Sequence, residues 1–518
     1  MKTTASVLTL SLGFNAVPRL FMALVLVTFG GVGLFAAEPK LDLVRCIELA
    51  LAHDPEIALA REDVNLAEAA LQFEAGTFDY QFEVGSSTQR DRIPTADGGN
   101  TDTDTTRLNA SLVKTFRSGI EFTPSLSLER RDVHHNDSST RNSADVSLSL
   151  SYPLLRGQGR DMVTGRERAA ERALTATEYR RRFRIAQRTL ATINAYWRYC
   201  ADLRRLEVVK ESEARSTRLV KETRALIEAG ETPENELLQL LANENDKRAI
   251  RIDTRNSVFQ SRHNLGLVMG LTPAQIAALP AVASAFPEPA FMGEGALPES
   301  VRLVVTALEQ RADLRALRLD GEADQIRYAL ATDGLKPDLS LNVEAGYDTL
   351  REGSGLGEWL AAVSRRTPGA NYAVELSYKL PLGRKTAKSD VRREGARLEQ
   401  TRLSLKDLER QIGLQVMIAY EDLQRALETL EAVDQSVGYY ELAVANERKK
   451  LKLGFSTLID LISYEDRLTS VLLRKIESQA RLWQALADLQ FETGSFDRMD
   501  MSALDQAAVL AFPRAETR

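Results

Sequence analysis

Few residues of this chain are spaced for chemistry. His134-His135 stand beside Asp132 and Asp137, and imidazole with carboxylate is a metal-binding combination. They fall in a polar stretch, 131–142, where a solvated loop on an outer face explains them better. Cys46 opens a helical run and Cys200 lies on an apolar helical seam, so both read as small buried apolar residues. Gly157-Gln158-Gly159 follows a strand-like run and opens a helical one, but the full dinucleotide fingerprint is missing. With no nucleophile motif, metal-ligand cluster or phosphate loop, an enzyme is the least supported class. No cofactor or metal is expected.

The elements around these residues are more informative. Gly159, Gly230 and Gly270 recur 224 residues on as Gly383, Gly454 and Gly494, with spacings of 71 and then 40 in both halves. Ala195-Tyr196 and Ala419-Tyr420 share the offset. The period is too long for a solenoid unit and marks a duplicated half-molecule.

From Gly159 to Gly230 the helical period barely breaks. Phe183, Leu190 and Trp197 alternate with Ala186, Ile193 and Cys200 as a heptad seam. The counterpart, about 386–453, carries Leu405, Leu408, Ile412, Val416, Ala419, Leu423, Ala426, Leu430, Val433, Val437, Tyr440 and Val444, with one inserted four at Val416. Each long segment is followed by a shorter helix (about 234–269 and 456–492) and preceded by strand-like runs. Each strand region is preceded by a helix read as continuous (42–75 and 299–332). Alternation predicts strands near 78–84, 108–116, 120–128 and 146–152, then near 339–345 and 373–382. The polar stretches 91–106, 131–142 and 349–371 read as loops.

The organisation expected is therefore a signal peptide (1–37), a first repeat (38–271, strands about 78–153), a linker (272–298) with five prolines, a second repeat (299–494, strands about 338–382) and a tail (495–518). The leader has Lys2 and Arg19 ahead of an apolar run from Leu20 and small residues before Ala36-Ala37, as in an export signal rather than an uncleaved anchor. The net charge of −6 and the lack of a basic block argue against a nucleic-acid partner. A helix of about 70 residues is roughly 105 Å long and must pack along other long helices, in its own chain or in copies. The shorter helices of each half sum to about that length, so they can stack end to end against it. Too few strands are present for one chain to close a useful barrel, whereas several chains could close one together.

This plan resembles the TolC-like outer-membrane efflux protein family over nearly the whole mature chain. The residues that carry the resemblance are Leu41–Ile57, Ser151-Tyr-Pro-Leu-Leu-Arg-Gly157 with Ser377-Tyr-Lys-Leu-Pro-Leu-Gly383, and Ala229–Leu238 with Leu453–Ile462. The resemblance implies a fold that is mainly α with membrane β-strands: a duplicated long-helix α-barrel plus a trimeric transmembrane β-barrel. It implies a homotrimer in outer-membrane lipid of a Gram-negative bacterium, extending into the periplasm. Its partners would be a periplasmic adaptor and an inner-membrane pump of RND or ABC type, and its work passive export in efflux or type I secretion. The alternative is a structural coiled-coil protein of the envelope without a pore, which has no use for strands inserted at the same place in both repeats.

By the same resemblance, Gly230, Glu231 and Thr232 with Gly454, Phe455 and Ser456 form periplasmic tip turns that meet the adaptor. Asp460, and Glu236 at the matching offset, would ring a periplasmic constriction. An ordinary solvated acid in the first turn of a helix remains an equal reading of Asp460. Ser463 stands where the family often has a second acidic ring, and Leu451 and Ser456 stand where closing Tyr and Arg contacts can occur. The first strand region is 34 residues longer than the second. The excess holds the runs 108–116 and 120–128, expected to form an extra hairpin and give six strands per chain, 18 per trimer instead of twelve.

Overall fold

The computed structural model describes residues 41–94, 98–134, 139–229, 235–280, 282, 286–287, 299–353, 357 and 369–498. The leader (1–37) and most of the tail lie outside them. The helices are α1 (Leu43–His53), α2 (Pro55–Ala75), α3 (Arg160–Val163), α4 (Gly165–Glu228), α5 (Asn235–Val268), α6 (Pro273–Ala277), α7 (Ser300–Gln310), α8 (Ala312–Asp333), α9 (Lys385–Lys452) and α10 (Leu458–Glu492). The strands are β1 (Tyr80–Pro94), β2 (Asn100–Thr115), β3 (Glu121–His134), β4 (Ser139–Pro153), β5 (Asp338–Glu352) and β6 (Ala370–Lys379).

The long helices α4 and α9 have 64 and 68 residues, which makes them roughly 96 and 102 Å rods. Their seams are what the fold buries: Ile193, Trp197 and Cys200 on α4, and Ile412, Val416, Leu423, Leu430, Val433, Val437 and Val444 on α9. The main core joins the α4 seam and the α9 residues from Ile412 to Leu430 to α1, α7 and α10 around Trp197, which stacks on Trp483 at 5.7 Å and on Phe286 at 5.6 Å. In this core Cys46 and Cys200 are both buried thiols. Burial pushes Cys46 well up and Cys200 up to about 12, so neither is a nucleophile at neutral pH.

Each helix expected before a strand region is broken once. Asp54 caps both sides of the first break: it ends α1, and its carboxylate accepts from the Glu56 N–H at 2.7 Å, with Pro55 at the first position of α2. Proline lacks the N–H that would continue the helix and suits a first turn. The second break, at Arg311, has no proline. Its backbone is extended (φ −58°, ψ 126°), and its buried guanidinium pairs with Asp313 (2.8 Å) and Glu492. The returning helices dock on these breaks. A Cβ on Gly270 would lie 2.4 Å from the His53 carbonyl oxygen, and one on Gly494 would lie 3.2 Å from the Arg311 nitrogen. Both glycines have positive φ, 70° and 74°.

Asp488, on the last turns of α10, accepts from Asn194 Nδ2 at 3.3 Å. Burial raises its pKa above the usual carboxylate range. A carboxyl raised in the folded state carries no penalty below its unfolded pKa and a growing one as pH rises through the folded value. Asp488→Asn keeps the acceptor and removes the charge. The variant should melt higher than wild type at pH 7 and converge with it below about pH 4, read by thermal denaturation across pH.

All six strands form one antiparallel sheet in the order β1-β2-β3-β4-β5-β6. The two repeats meet at β4–β5, where Leu148 faces Ala345 and Leu150 faces Val343. The added runs are β2 and β3, joined by a tight turn in which the Gly119 N–H donates to Phe116 O (2.8 Å). The strands outrun the apolar alternation. The expected loops at 91–106 and 131–142 are strand over 91–94, 100–106, 131–134 and 139–142, and β5 runs to Glu352. Cross-strand pairs replace apolar contact there: Arg90–Asp104 at 2.6 Å, Arg92–Asp102 at 2.7 Å and Thr88 beside Thr106 at 3.5 Å.

The register gives the sheet two faces. One carries Phe82, Val84, Leu112, Ala110, Leu126, Leu148, Leu150, Val343, Leu341, Leu376 and Val374 as cross-strand neighbours. The other carries Glu83, Ser111, Ser125, Ser147, Gly346 and Asn371. Among the described residues, no helix is long and apolar enough to cross a membrane.

Candidate functional site

The tip of the second repeat is built by a helix stop and a helix start only a few residues apart. At the end of α9 the Phe455 N–H donates back to Lys450 O (2.9 Å) and the Gly454 N–H to Leu451 O (3.1 Å). Gly454 has φ 77°, the left-handed geometry that lets a helix close on its own last carbonyls. Thr457 then caps α10 through a reciprocal box: Asp460 N–H donates to Thr457 Oγ1 (3.2 Å), and Thr457 Oγ1–H (2.7 Å) and N–H (3.3 Å) donate to Asp460 Oδ2.

These bonds hold the Asp460 carboxyl below the usual carboxylate range, the Thr457 hydroxyl contributing most. Asp460 is therefore charged throughout the physiological range. Glu447 is the other anion of the turn. It accepts from the Ser456 hydroxyl and from Lys450 Nζ at 3.0 Å, and these two donors lower its pKa. Phe455 is 80% exposed and Leu453 69%, so an apolar knob stands beside the two carboxylates.

The fold thus gathers Gly454, Phe455, Ser456 and Asp460 into one turn. Gly230, Glu231 and Thr232 lie outside the described residues. Glu236 falls in the first turn of α5, and its side chain lies outside the described residues. Sequence reasoning missed Glu447 and Lys450, which reach the turn from within α9. It missed the apolar knob too, although Leu453 and Phe455 flank the helix-stopping glycine. Above the tip Glu465 ties two long helices to α10, with Arg448 at 2.6 Å and Arg215 at 3.9 Å. His134 packs its Nε2 3.4 Å from Asp104 at the end of the sheet, while His135 and Asp137 lie outside the described residues. Among the described residues, no group of His, Cys, Asp and Glu could hold a metal ion.

At the sheet–helix junction the β6–α9 turn has Arg384 in the left-handed region (φ 45°). A groove of about 1200 Å³ opens beside it, lined among others by Arg156, Arg166, Arg327, Lys336 and Lys385. Several of these charges are answered, Arg156 by Asp338 (2.5 Å) and Lys336 by Asp333 (2.7 Å).

Rods of this length, with an amphipathic sheet at one end and the glycine-closed Gly454 turn at the other, suit a channel-forming protein of the outer membrane. Residues 303–495 match the family described as outer membrane efflux protein. The matched stretch lies in the second repeat, so this half of the chain is similar to the outer membrane efflux protein family.

Solved structures share the fold over most of their length. The outer membrane protein VceC of Vibrio cholerae is 16% identical with a TM-score of 0.64, covering 87% of this chain and 96% of its own. The CmeC outer membrane channel of Campylobacter jejuni is 14% identical with a TM-score of 0.62, over 89% and 87%. The MtrE outer membrane channel of Neisseria gonorrhoeae, solved in an open state, is 15% identical with a TM-score of 0.59, over 87% and 88%. No curated protein sequence gives a significant match.

Proposed function

We propose that the chain is the exit duct of a tripartite efflux or type I secretion system. It works as a homotrimer whose joined sheets sit in outer-membrane lipid and whose helices form a periplasmic tube. A periplasmic adaptor and an inner-membrane pump of RND or ABC type deliver solutes to it, and passage through it is passive. The observation that carries this reading is the sheet. One face is apolar across all six strands and the other polar, which suits lipid outside and water inside. A pore-free coiled coil would leave that apolar face without a partner.

Within this reading the adaptor meets Gly454, Phe455 and Ser456, and by the repeat Gly230, Glu231 and Thr232. Phe455 supplies the exposed apolar contact for it. Asp460 and Glu236 ring the constriction, and threefold symmetry concentrates their negative potential.

Purified protein in a planar bilayer should give discrete conductance steps with a preference for cations. Asp460→Asn keeps an acceptor for the Thr457 cap while removing the charge. It should lower the cation preference several-fold without lowering the melting temperature. A monomer without conductance sinks the channel. A conducting trimer whose selectivity ignores Asp460→Asn removes that residue from the constriction.

A further inference from the structure

Building on the trimeric-channel reading, we propose that three copies close their sheets into a single eighteen-stranded barrel, β6 of each copy pairing with β1 of the next. Three observations carry it. First, among the described residues the sheet has two open edges, β1 and β6, and unpaired backbone groups in hydrocarbon are costly, so an open edge cannot face lipid. Second, six alternating strands leave β1 and β6 running in opposite directions, so the edge of one copy meets the next antiparallel, as every pair within the sheet does. Third, the edges carry matching stripes on one face. Tyr80, Phe82 and Val84 on β1 are 58–71% exposed, and Tyr372, Val374, Leu376 and Tyr378 on β6 are 58–88% exposed. A second copy covers the backbone edge and continues the apolar band around the wall.

The β2–β3 hairpin decides the size of the barrel. It sits inside the sheet, β2 on β1 and β3 on β4, and its faces keep the phase of the rest. Leu108, Ala110 and Leu112 on β2 continue the apolar face, with Phe122, Leu126 and Leu128 on β3. Its opposite face is bonded as a wetted wall: Ser127 donates to Asn109 at 2.8 Å, Ser125 and Ser147 share a bond of 2.7 Å, and Arg107 pairs with Glu129. A plug or an external flap has no use for an apolar stripe in register with the band beside it. With strands about 4.8 Å apart and tilted about 40°, eighteen strands make a barrel roughly 36 Å across its backbone, against about 24 Å for twelve. The outer mouth is therefore wide enough to hold water at its centre, and the narrow points of the duct lie elsewhere.

The test uses the full mature chain in lipid nanodiscs. Ser377→Cys is combined in turn with Gln81→Cys, Glu83→Cys, Gly85→Cys and Ser87→Cys, registers that keep the polar faces aligned. On oxidation one of these doubles should run as covalent dimer and trimer on non-reducing gels, and no single variant should do so. The wild-type trimer is imaged in parallel by electron cryo-microscopy, with eighteen strands expected. Neutral polymers added at the extracellular side of a planar bilayer should enter the mouth up to sizes that a twelve-stranded barrel excludes. A conducting trimer with twelve wall strands and the hairpin outside them overturns the proposal and leaves the channel reading intact. A chain that neither trimerises nor conducts overturns both.

Discussion

Gly270→Ala should be among the most damaging single-methyl changes in the tube, costing about 3 kcal/mol. Two effects add. The residue sits at φ 70°, where an L side chain costs roughly 1–2 kcal/mol. The new Cβ would also stand 2.4 Å from the His53 carbonyl oxygen and 3.0 Å from the Asp54 Cα. Those are backbone atoms at the α1–α2 break, so no side chain can swing aside, and the end of α5 must lift off the joint. The duplication supplies a graded control. Gly494→Ala meets Arg311 backbone at 3.2–3.3 Å with φ 74°, and should cost about half as much. Gly438 lies within α9 with nothing within 4 Å of its would-be Cβ, and Gly438→Ala should be neutral or stabilising by up to about 1 kcal/mol. Melting of the detergent-solubilised variants should rank Gly270→Ala lowest, then Gly494→Ala, then Gly438→Ala. Equal melting of the first and third would show that the α5 end does not bear on the break.

How legible each part was in the sequence depends on how local its cause is. The α9 seam was readable because Ile412, Val416 and Leu423 obey a period set by the helix itself, and burial followed it. The tip turn was readable because a left-handed stop favours glycine, and Gly454 stands where α9 must end. The break at Asp54 carries its own signal, a capping carboxylate followed by proline, yet the apolar period across 42–75 masked it. The break at Arg311 has no such signal, since its partner Glu492 is 181 residues away. The outer strand ends were misread as loops because alternation of apolar residues stops there. What continues the strands is pairing between Arg90 and Asp104, visible only once the register is known. Glu447 was missed for the same reason: it joins the tip by accepting from the Ser456 hydroxyl, nine residues further on across the glycine turn.

The two breaks invert each other's charge, and this leads to the second large effect. In the first repeat the joint buries an anion, Asp54, whose side chain has no exposure, and a cation from α4 answers it. In the second the joint buries a cation, Arg311, answered by anions from α8 and α10. Arg188 donates through Nε to Asp54 and through a terminal nitrogen to the Val268 carbonyl (3.3 Å), so one guanidinium ties α4 to the start of α2 and the end of α5. Removing one partner of a buried pair costs more than the pair is worth, because the other charge stays behind desolvated. Among the described residues, Arg188→Ala leaves the Asp54 carboxylate only the Glu56 N–H as donor, and should destabilise the fold by about 3–4 kcal/mol. Asp54→Asn in the same chain keeps a cap for α2 and removes the stranded charge. The double variant should therefore melt above Arg188→Ala alone, recovering about 1–2 kcal/mol. If the double variant melts at or below the single one, the loss comes from packing and the Val268 contact, and the charge inversion between the repeats carries no energy.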